Sequence, residues 1–248
     1  MSGLRVLSYN IRYGGTNREL VLARAIRAAR PDVVVLQEAT QPAVVARIAG
    51  EAGMHHFGSR RGQSLAFMSR LPMVHAQWHR PRLSRHAFLE LQPADHVWRI
   101  FGVHLSAVHA AWTERRRLFE LRSLLTSIAA HQHGPHMLIG DFNTVAPGDL
   151  LDIRQLPARL RALVWLSGGR VRWRTIQAVL DAGYRDAFRH LHPDRVGYTF
   201  PSVSPHVRLD YLFVPETRLD AVQVCEVRSD AEASAASDHL PILGEVRS

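Results

Sequence analysis

The sequence predicts an α/β fold in which helices cover a mixed β-sheet, and three observations carry this prediction. The chain begins with a strand-like stretch, an amphipathic helical stretch and a second apolar run, which together form a β-α-β unit. Several later strand-like stretches follow one another without helices between them, which favours a mixed sheet over a purely parallel one. A further apolar run ends in Gly140-Asp141-Phe142-Asn143, as a buried strand does when it presents polar side chains at its carboxyl end.

The elements can be placed in order along the chain. A strand at 4–11 precedes a helix at 18–30, which Pro31 ends, and the apolar run Asp32 to Glu38 forms the second strand. The remaining apolar periodicities predict a helix near 42–52, a strand and turn within 63–72, strands at 73–79, 86–92, 98–104 and 136–143, a helix at roughly 111–130, and late strands at 208–214 and 220–228.

Composition limits the class of protein. With 248 residues and 46% hydrophobic composition, we expect a single domain over 1–248. Cys225 is the only cysteine, so no intrachain disulfide framework can form, and a reducing, cytoplasmic location is the simpler expectation. The start of the chain carries no long apolar segment, so we expect no transmembrane span. We also expect the protein to act as a monomer.

The charge of the chain points to anionic partners. The formal net charge is +9, and all 31 basic residues are arginines, whose planar forks suit phosphate oxygens. A positive field favours polyanions such as nucleic acid, or an anionic lipid surface. A soluble protein with a merely basic surface has the same composition.

One segment, at about 147–181, differs in composition from the rest and is predicted to be an insertion outside the core. It is rich in arginine and carries two tryptophans, and the candidate substrate-binding residues are Arg154, Arg159, Arg161, Trp165, Arg170, Arg172, Trp173 and Arg174. The segment could grip a nucleic-acid backbone and stack a base, or it could lie on anionic lipid. It could also be a helical pair that packs its leucines and tryptophans on the body of the protein and leaves its arginines in solvent.

Polar residues of a consistent chemical type lie at or near the ends of separate predicted strands. They are Asn10, Glu38, His104, Asp141, Asn143, Asp210, Asp238 and His239. One such residue is usually a cap or turn residue, but this many suggest one pocket. Oxygen ligands without clustered cysteines suit Mg²⁺ or Mn²⁺ better than structural zinc.

The Gly140 motif is ambiguous when it is considered alone. If the strand stays extended through Phe142, the side chains of Asp141 and Asn143 share one face while Phe142 packs on the other. The alternative is a strand that ends in a turn stabilised by the aspartate side chain.

Six motifs, in order, resemble those of the endonuclease/exonuclease/phosphatase superfamily. They are Ser8-Tyr9-Asn10-Ile11, Leu36-Gln37-Glu38, Val103-His104-Leu105, Gly140-Asp141-Phe142-Asn143, Arg208-Leu209-Asp210-Tyr211-Leu212-Phe213 and Ser237-Asp238-His239-Leu240-Pro241. The superfamily includes pancreatic-type deoxyribonucleases, abasic-site endonucleases, neutral sphingomyelinases and inositol polyphosphate 5-phosphatases. The resemblance implies a deoxyribonuclease-like four-layer α/β sandwich, in which two mixed sheets lie face to face with helices outside, and a divalent-metal phosphoesterase site at one edge.

The resemblance also implies a role for each metal-site residue. Glu38 would be the principal metal ligand, and Asn10 beside it would contact metal or phosphate. Asp238 would be a second ligand of metal or water, although it could also simply help cap the final turn.

Five further residues would carry the chemistry. Asp210 and His239 resemble the family's carboxylate–histidine pair, and the acid would fix the imidazole tautomer and stabilise its protonated form. Asp141 would orient or deprotonate the attacking water, and Asn143 would hydrogen-bond a phosphoryl oxygen. His104 lies where deoxyribonucleases and sphingomyelinases carry a second histidine, and it could instead be a strand-end histidine that the backbone satisfies.

Some residues match no part of the resemblance. After Glu38 the chain has Ala39-Thr40, without the lysine that abasic-site endonucleases usually carry there, which puts base-repair specificity in doubt. The histidines outside the motifs, which include His55, His56, His131, His133 and His136, are expected on the surface or in loops. Arg208, two residues before Asp210, could simply form an ion pair with that aspartate.

The sequence therefore predicts a divalent-metal-dependent phosphodiester hydrolase, with a nuclease favoured because of the positive field. A sphingomyelinase-like phospholipid hydrolase or a small-molecule phosphoesterase is the alternative. A non-catalytic binding module with a relic site is a third hypothesis, which the intact set of polar residues disfavours.

Overall fold

The structure, a computed structural model, describes residues 3–80, 87–106, 111–131, 134–149 and 173–247. Its strands, in chain order, are β1 (Leu4–Asn10), β2 (Val33–Gln37), β3 (His56–Gly58), β4 (Ala66–Ser69), β5 (Met73–His79), β6 (Phe88–Pro93), β7 (Arg99–His104), β8 (His136–Asp141), β9 (Tyr184–Asp186), β10 (Asp210–Pro215), β11 (Val222–Val227) and β12 (Ile242–Val246). Its α-helices are α1 (Glu19–Ala29), α2 (Pro42–Ala52), α3 (Ala111–His131), α4 (Arg174–Asp181), α5 (Ala187–Leu191) and α6 (Ala231–Ala236). Short 3₁₀ turns lie at Tyr13–Gly15 and Glu216–Ala221.

The described strands form two six-stranded mixed sheets. Sheet 1 has the order β11-β12-β1-β2-β4-β3, and sheet 2 has the order β5-β6-β7-β8-β10-β9. Each sheet contains one parallel pair, β1 with β2 in sheet 1 and β7 with β8 in sheet 2, and its other described pairs are antiparallel. Each parallel pair carries its polar residues to one edge of its sheet.

The helices α1 and α2 show why their sequences fold as they do. Leu22, Ala25 and Ile26 of α1 recur at helical spacing, and their buried face packs on sheet 1. Arg30, directly after the helix, has left-handed backbone angles and precedes a proline. The helix α2 begins with Pro42, whose missing N–H costs nothing in the first turn, and Gly53 directly after it has the left-handed conformation.

Three apolar clusters divide the molecule into four layers. Side chains of α1, α2 and α6 pack on the outer face of sheet 1. A second cluster, which includes Val35, Leu89 and Leu212, fills the space between the sheets. A third joins α3 and α4 to the outer face of sheet 2. The four-layer α/β sandwich of two face-to-face mixed sheets flanked by helices is therefore confirmed.

Two glycines allow the sheets to approach closely. A Cβ at Gly102 of β7 would lie 2.7 Å from Cγ1 of Val35 in the other sheet. A Cβ at Gly244 of β12 would lie 2.2 Å from Cδ1 of Leu212. Because interiors pack without spare volume, each glycine keeps room for a side chain of the opposite sheet.

The elements predicted from the sequence are observed with small shifts at their ends. The strands β3, β9 and β12 and the helices α5 and α6 were not among them. No helix of the described residues is long and apolar enough to cross a membrane.

The segment 147–181 is described only at its two ends. Its last part is α4, whose Ile176 and Val179 lie in the outer core with α3, so this part belongs to the helical layer. Arg154, Arg159, Arg161, Trp165, Arg170 and Arg172 lie outside the described residues. Trp173 and Arg174 are exposed at the start of α4.

Two expectations about individual residues were wrong. His136 is buried, because its ring lies between the carbonyl oxygen of Gly134, 2.8 Å from Nδ1, and the hydroxyl of Tyr184, 2.7 Å from Nε2. Arg208 does not pair with Asp210. Its guanidinium instead contacts two acids, Asp149 at 3.0 Å and Asp186 at 2.7 Å. Both were misplaced because their partners are distant in sequence.

Candidate active site

The ends of the two parallel strand pairs meet at one edge of the sandwich. Asn10 ends β1, and Glu38 directly follows β2. In sheet 2, His104 ends β7 and Asp141 ends β8. The antiparallel strands β10 and β12 bring the beginnings of their sequences to the same edge, with Asp210 as the first residue of β10 and His239 three residues before β12. The fold thus gathers the predicted residues from both ends of the chain.

Asp141 and Asp210 lie directly opposite each other in the β8–β10 register. Both are buried, with 1% exposure each. Burial raises the pKa of Asp141, and the negative charge of Asp210 raises it further, while His239 and His104 oppose the shift. Two buried carboxylates that face each other repel, so they need cations or hydrogen-bond donors nearby.

His239 supplies one of those cations. Its Nδ1 lies 2.9 Å from Oδ2 of Asp210, and its Nε2 lies 4.0 Å from Oδ2 of Asp141. Burial alone would lower the pKa of His239, but the charges of Asp210 and Asp141 outweigh burial and raise the pKa to about 10. Because the carboxylate only accepts, Nδ1–H donates to Asp210, and Nε2–H is directed at the pocket.

Asn10 links the acids of the two sheets. Its amide Nδ2 donates to Oδ2 of Asp141 at 3.0 Å and to Oε1 of Glu38 at 3.3 Å. Its Oδ1 accepts a hydrogen bond from the backbone N–H of Arg12 at 3.0 Å. Both carboxylates need donors, so the amide turns its NH₂ group to them and not its oxygen. In this arrangement Asn10 positions two acids.

Glu38 occupies a special backbone position just past its strand. Its φ is 57°, in the left-handed region that side chains other than glycine rarely adopt. Its Oε2 accepts from the backbone N–H of Tyr13 at 2.6 Å, and its own N–H donates to Oγ of Ser64 at 3.1 Å. Such conformations persist only where the surroundings fix them, and here they aim the carboxylate at the site.

The Gly140 motif combines both of its sequence interpretations. The strand ends at Asp141, and Asn143 has φ 52° and donates its N–H to Oδ1 of Asp141 at 2.8 Å, so the turn forms. The Nδ2 of Asn143 also returns to Oδ2 of Asp141 at 3.0 Å, so the two side chains still meet. Phe142 packs against Tyr211 and Phe213 in the outer core. The strand therefore ends two residues before the predicted position 143, and the side chains of Asp141 and Asn143 meet while Phe142 packs on the other side, as the extended interpretation predicts.

The residue before this turn must be glycine. Gly140 has φ 153°, and a Cβ there would lie 1.9 Å from the carbonyl oxygen of Val103 on the neighbouring strand. The close approach of β7 and β8 at this point sets the position of Asp141, one residue later.

His104 is held from both sides of the site. Its Nδ1 hydrogen-bonds Oγ of Ser64, from sheet 1, and its Nε2 lies 3.8 Å from Oδ2 of Asp141. A side chain thus anchors the histidine at the acid cluster, where the resemblance places it.

Asp238 contacts Arg12 and Ser237. Its Oδ2 pairs with Nε of Arg12 at 3.2 Å, and its Oδ1 accepts from Oγ of Ser237 at 3.4 Å. The side chain is 28% exposed. Of the predicted metal ligands, Glu38 thus offers carboxylate oxygens at the acid cluster, and Asp238 is engaged with an arginine at its rim.

The donor set fits a hard divalent cation. Carboxylate oxygens of Asp141 and Asp210 lie within 4.8 Å of each other, and the amide of Asn10 joins Glu38 to Asp141. Buried carboxylates that face each other are stabilised by a cation, and oxygen donors are the preferred ligands of Mg²⁺ and Mn²⁺. The residues present therefore suit the cofactor that the sequence predicts.

The family of the chain follows from comparison with known proteins. The model of the Endonuclease/Exonuclease/phosphatase family matches residues 7–239. The chain belongs to this family. Its members are phosphoesterases, and the edge described above carries the residues of all six motifs that suggested the resemblance.

Solved structures of low sequence identity share the fold of this Endonuclease/Exonuclease/phosphatase protein. The Neisseria 3′ phosphatase NExo, bound to a product DNA hairpin, matches with TM-score 0.73 and 20% identity, over 99% of this chain and 100% of that one. An AP endonuclease from Archaeoglobus fulgidus matches with TM-score 0.72 and 17% identity over 97% and 98% of the two chains. A humanized D. rerio TDP2 matches with TM-score 0.67 and 19% identity over the full length of both. Comparison with curated proteins gives no match.

Sequence reasoning missed three residues that position the site. Ser64 contacts both His104 and the backbone of Glu38, Arg12 pairs with Asp238, and Phe200 packs on the ring of His239 with centroids 4.9 Å apart. None of them lies in a motif. Ser64 directly precedes a predicted apolar strand run, and that position was the only available signal.

Proposed function

We propose that this protein is a divalent-metal-dependent phosphodiesterase that acts on nucleic acid. The observation that carries the proposal is the cluster in which Asp141, Asp210 and His239 are held together by bonds between the two sheets. A phosphodiester can be hydrolysed where one group activates water and other groups stabilise the negative charge that develops on the phosphoryl and leaving oxygens.

Asp141 is suited to activate the attacking water. Its raised pKa makes it a stronger base than an exposed aspartate, which favours proton abstraction near neutral pH. The N–H of Asn143 and the amide of Asn10 fix the orientation of its two oxygens. The carboxylate of Asp141 is therefore already oriented before substrate binds.

His239 is suited to stabilise negative charge. With its pKa raised to about 10, the imidazole is protonated at neutral pH, and Asp210 holds Nδ1 so that Nε2–H faces the substrate. A fixed cationic donor in a buried site stabilises a phosphoryl oxygen more strongly than a donor in water does. His104, whose Nε2 lies 3.8 Å from Oδ2 of Asp141, would provide a further donor to the substrate phosphate. Asn143 donates its Nδ2 hydrogens to Leu105 and Asp141, so it would first have to turn to contact a phosphoryl oxygen.

The cation would be held by Glu38 together with the buried acids, and Mg²⁺ or Mn²⁺ fits the oxygen donors. When bound, it supplies Lewis-acid stabilisation of the phosphoryl charge. Asp238, at the rim, would hydrogen-bond water near it.

The substrate class rests on charge and likeness. The chain carries net charge +9, and its basic residues are arginines throughout. NExo, which shares the fold, is described with a DNA hairpin as product. These observations favour a polyanionic substrate over a lipid or a small phosphoester.

The decisive experiment is a substrate panel with the purified chain, in Mg²⁺, in Mn²⁺ and with EDTA. Its substrates are single-stranded, duplex and abasic DNA, RNA, a chromogenic phosphodiester and monoester, and sphingomyelin. We expect turnover of at least one nucleic acid that EDTA removes and that His239→Ala lowers by roughly 10²- to 10³-fold. Turnover of sphingomyelin alone would assign the lipid alternative, and no turnover of any substrate by folded protein would refute the proposal.

The segment 147–181 is proposed to contribute to substrate binding through its exposed basic end. Trp173 and Arg174 are both exposed, next to the arginine-rich residues that precede them. Replacing Arg174 with Glu should weaken DNA binding and reduce the dependence of affinity on salt by about one unit of log–log slope, as loss of one phosphate contact does. Arg24→Glu, an exposed change on α1, is the matched control, and equal effects of both changes would reject a localised interface.

A monomeric, cytoplasmic enzyme is the form that we propose. The cysteine Cys225 is buried, and burial raises the pKa of its thiol well above the usual value, so it is a poor partner for an intermolecular disulfide. Light scattering on the purified chain would reveal a dimer, which would correct this part of the proposal.

A further inference from the structure

A second group of ligand-type side chains lies outside the active site, on sheet 2. His75 and His79 belong to β5, an edge strand of this sheet, and Glu90 belongs to the neighbouring β6. One ligand atom from each of the three residues lies within 4.8 Å of the other two. Glu90 faces the outer side of the sheet with Phe101, its partner in the register with β7.

The two oxygens of Glu90 have different surroundings. Oε1 is engaged by the guanidinium of Arg99. Oε2 faces both imidazoles, 2.6 Å from Nε2 of His79 and 3.5 Å from Nε2 of His75. The side chain is only 8% exposed, so this carboxylate is withdrawn from bulk water. Arg99 thus holds the carboxylate in one orientation while its second oxygen points at two ring nitrogens.

His75 contributes an atom whose bonding is incomplete. Within the described part of the chain, Nε2 of His75 is closed off from solvent and has no hydrogen-bond partner. Buried polar atoms are almost always satisfied, so an exception calls for a reason. The atom faces Oε2 of Glu90 across a gap of 3.5 Å, which is too long for a good hydrogen bond.

The gap has the dimensions of a metal site. Zinc bonds to nitrogen and oxygen of about 2.0–2.1 Å in tetrahedral geometry separate neighbouring ligand atoms by roughly 3.3 Å. The distance from His75 to Glu90 already matches this spacing, and His79 needs to withdraw from Glu90 by only a fraction of an ångström. The ring of His79 stacks on Phe88, with centroids 4.9 Å apart and planes 18° from parallel, which limits its rotation.

The chemistry of the ligands selects the class of ion. Two imidazoles and one carboxylate suit Zn²⁺ and its neighbours Co²⁺ and Ni²⁺, whereas Mg²⁺ prefers oxygen ligands. Arg99 holds one carboxylate oxygen of Glu90, and the other oxygen faces both imidazoles, so the three side chains present their ligand atoms toward one point.

We propose that His75, His79 and Glu90 bind one divalent transition-metal ion of the zinc class at a site separate from the active site. Water would complete the tetrahedron. Arg99, which holds Oε1 of Glu90, is a positioning residue that orients the carboxylate. The ion would fasten the edge strand β5 to β6, because its ligands come from both strands.

The first test is metal binding by the full chain after chelator treatment, measured by calorimetry with excess Mg²⁺ present to occupy the active site. We expect one equivalent of Zn²⁺ to bind to the unaltered chain. His75→Ala and His79→Ala should lose this binding, and Arg99→Met should weaken it about 10- to 100-fold. As a control, His55→Ala removes an exposed histidine on the sheet 1 side of the molecule, and this variant should bind Zn²⁺ as the unaltered chain does.

Two further readouts make the test independent of catalysis and of folding defects. Co²⁺ at this site should give the visible absorption of a tetrahedral complex, which oxygen-rich octahedral sites lack, and His75→Ala should abolish it. Zn²⁺ should also raise the thermal unfolding temperature of the unaltered chain, because a ligand that binds only the folded state stabilises it.

The proposal would be overturned if the unaltered chain bound no zinc under these conditions, or if His75→Ala bound it equally well. The cluster would then be an imidazole–carboxylate ion pair alone. Circular dichroism and Mg²⁺-dependent turnover of His75→Ala establish that the variant is folded, since His75 lies outside the proposed catalytic residues.

Discussion

The two sheets each build half of the active site in the same way, but the halves differ in accessibility. Each half takes residues from the carboxyl ends of a parallel strand pair and from the beginning of an antiparallel neighbour. Sheet 1 supplies Asn10, Glu38 and His239, and sheet 2 supplies His104, Asp141 and Asp210. The acid of sheet 1, Glu38, lies past its strand and is partly exposed, whereas Asp141 is the last residue of its strand and is buried.

The difference in burial suits Asp141 and Glu38 to different roles in the proposed reaction. The buried acid of sheet 2 is surrounded by donors and has a raised pKa, as a base requires. The accessible acid of sheet 1 is suited to bind a cation that enters from solvent. The halves are joined by contacts from one sheet to the other, namely Asn10 with Asp141, His239 with Asp210 and Ser64 with His104. Neither sheet holds a complete site, so the spacing of the sheets matters to the chemistry.

The largest expected effect comes from breaking a bond between the halves. His239→Ala and Asp210→Ala should each lower kcat/KM by roughly 10²- to 10³-fold, because the charged donor or its holder is lost. The double variant should be little worse than either single one, since the pair acts as a unit. Steady-state kinetics in Mg²⁺, with circular dichroism as a check of folding, measures this.

Asp220→Ala, at an exposed position, is the matched control and should leave turnover unchanged. Losses that multiply in the double variant would mean that His239 and Asp210 act independently. Near-normal turnover in either single variant would remove the pair from the mechanism.

A smaller effect is expected from pushing the sheets apart at a distance from the chemistry. Gly102→Ala would place a methyl group 2.7 Å from Cγ1 of Val35, so the sheets must shift. We expect a loss of about 1–3 kcal/mol in the free energy of unfolding. Displaced reacting groups should also lower kcat/KM about tenfold to 100-fold. Denaturant titration and kinetics measure both.

Val35→Ala in the same chain removes the atom that clashes. The double variant Gly102→Ala, Val35→Ala should therefore recover activity relative to Gly102→Ala, which a purely local strand defect would not do. If Gly102→Ala is fully active, the spacing of the two halves is less important than the bonds between them.

The sequence predicted most elements because their apolar residues recur at helical or strand spacing. It did not predict β3, whose three residues are too few to show a period and are largely exposed. The helix α6 was missed as well, although Asp230 caps it by accepting from the N–H of Ala233 at 3.0 Å. An Asp before an alanine-rich stretch is a signal that could have found it.

The sequence predicted which residues form the site but not the hydrogen bonds between them. Strand ends identify which side chains reach the edge, because parallel strands end together. They do not show that Asn10 turns its amide toward two acids, or that Ser64 reaches His104. Those contacts depend on how one sheet lies against the other, and that relation appears in no local pattern. Distant partners likewise decided the positions of His136 and Arg208.

The smallest expected effect concerns acid stability at the far end of sheet 2. Burial lowers the pKa of His136, and the carbonyl of Gly134 accepts from its Nδ1–H, so Nε2 accepts from the hydroxyl of Tyr184. The folded chain thus holds this imidazole neutral. Below the unfolded pKa of about 6.5 the unfolded chain binds the extra proton more readily, so stability falls as pH falls through the lowered pKa.

His136→Gln should therefore lose less stability between pH 7 and pH 5 than the unaltered chain, even if it is less stable at pH 7. Thermal unfolding at several pH values measures the slope. His55→Gln, at an exposed position, is the control and should keep the slope of the unaltered chain. If the dependence of stability on pH is unchanged in His136→Gln, the acid sensitivity comes from titratable groups at the active-site end of sheet 2.

The order of strands in sheet 1 has a consequence for when the proposed site can form during folding. The strand β12 follows every other described strand in the chain, yet it lies between β11 and β1. His239 lies three residues before it, and Ser237 donates its Oγ–H to the carbonyl oxygen of Asn10 at 2.7 Å. The part of the site that sheet 1 supplies is therefore completed only when β12 pairs between β11 and β1. We expect any hydrolytic activity to return together with this pairing when the unfolded protein refolds.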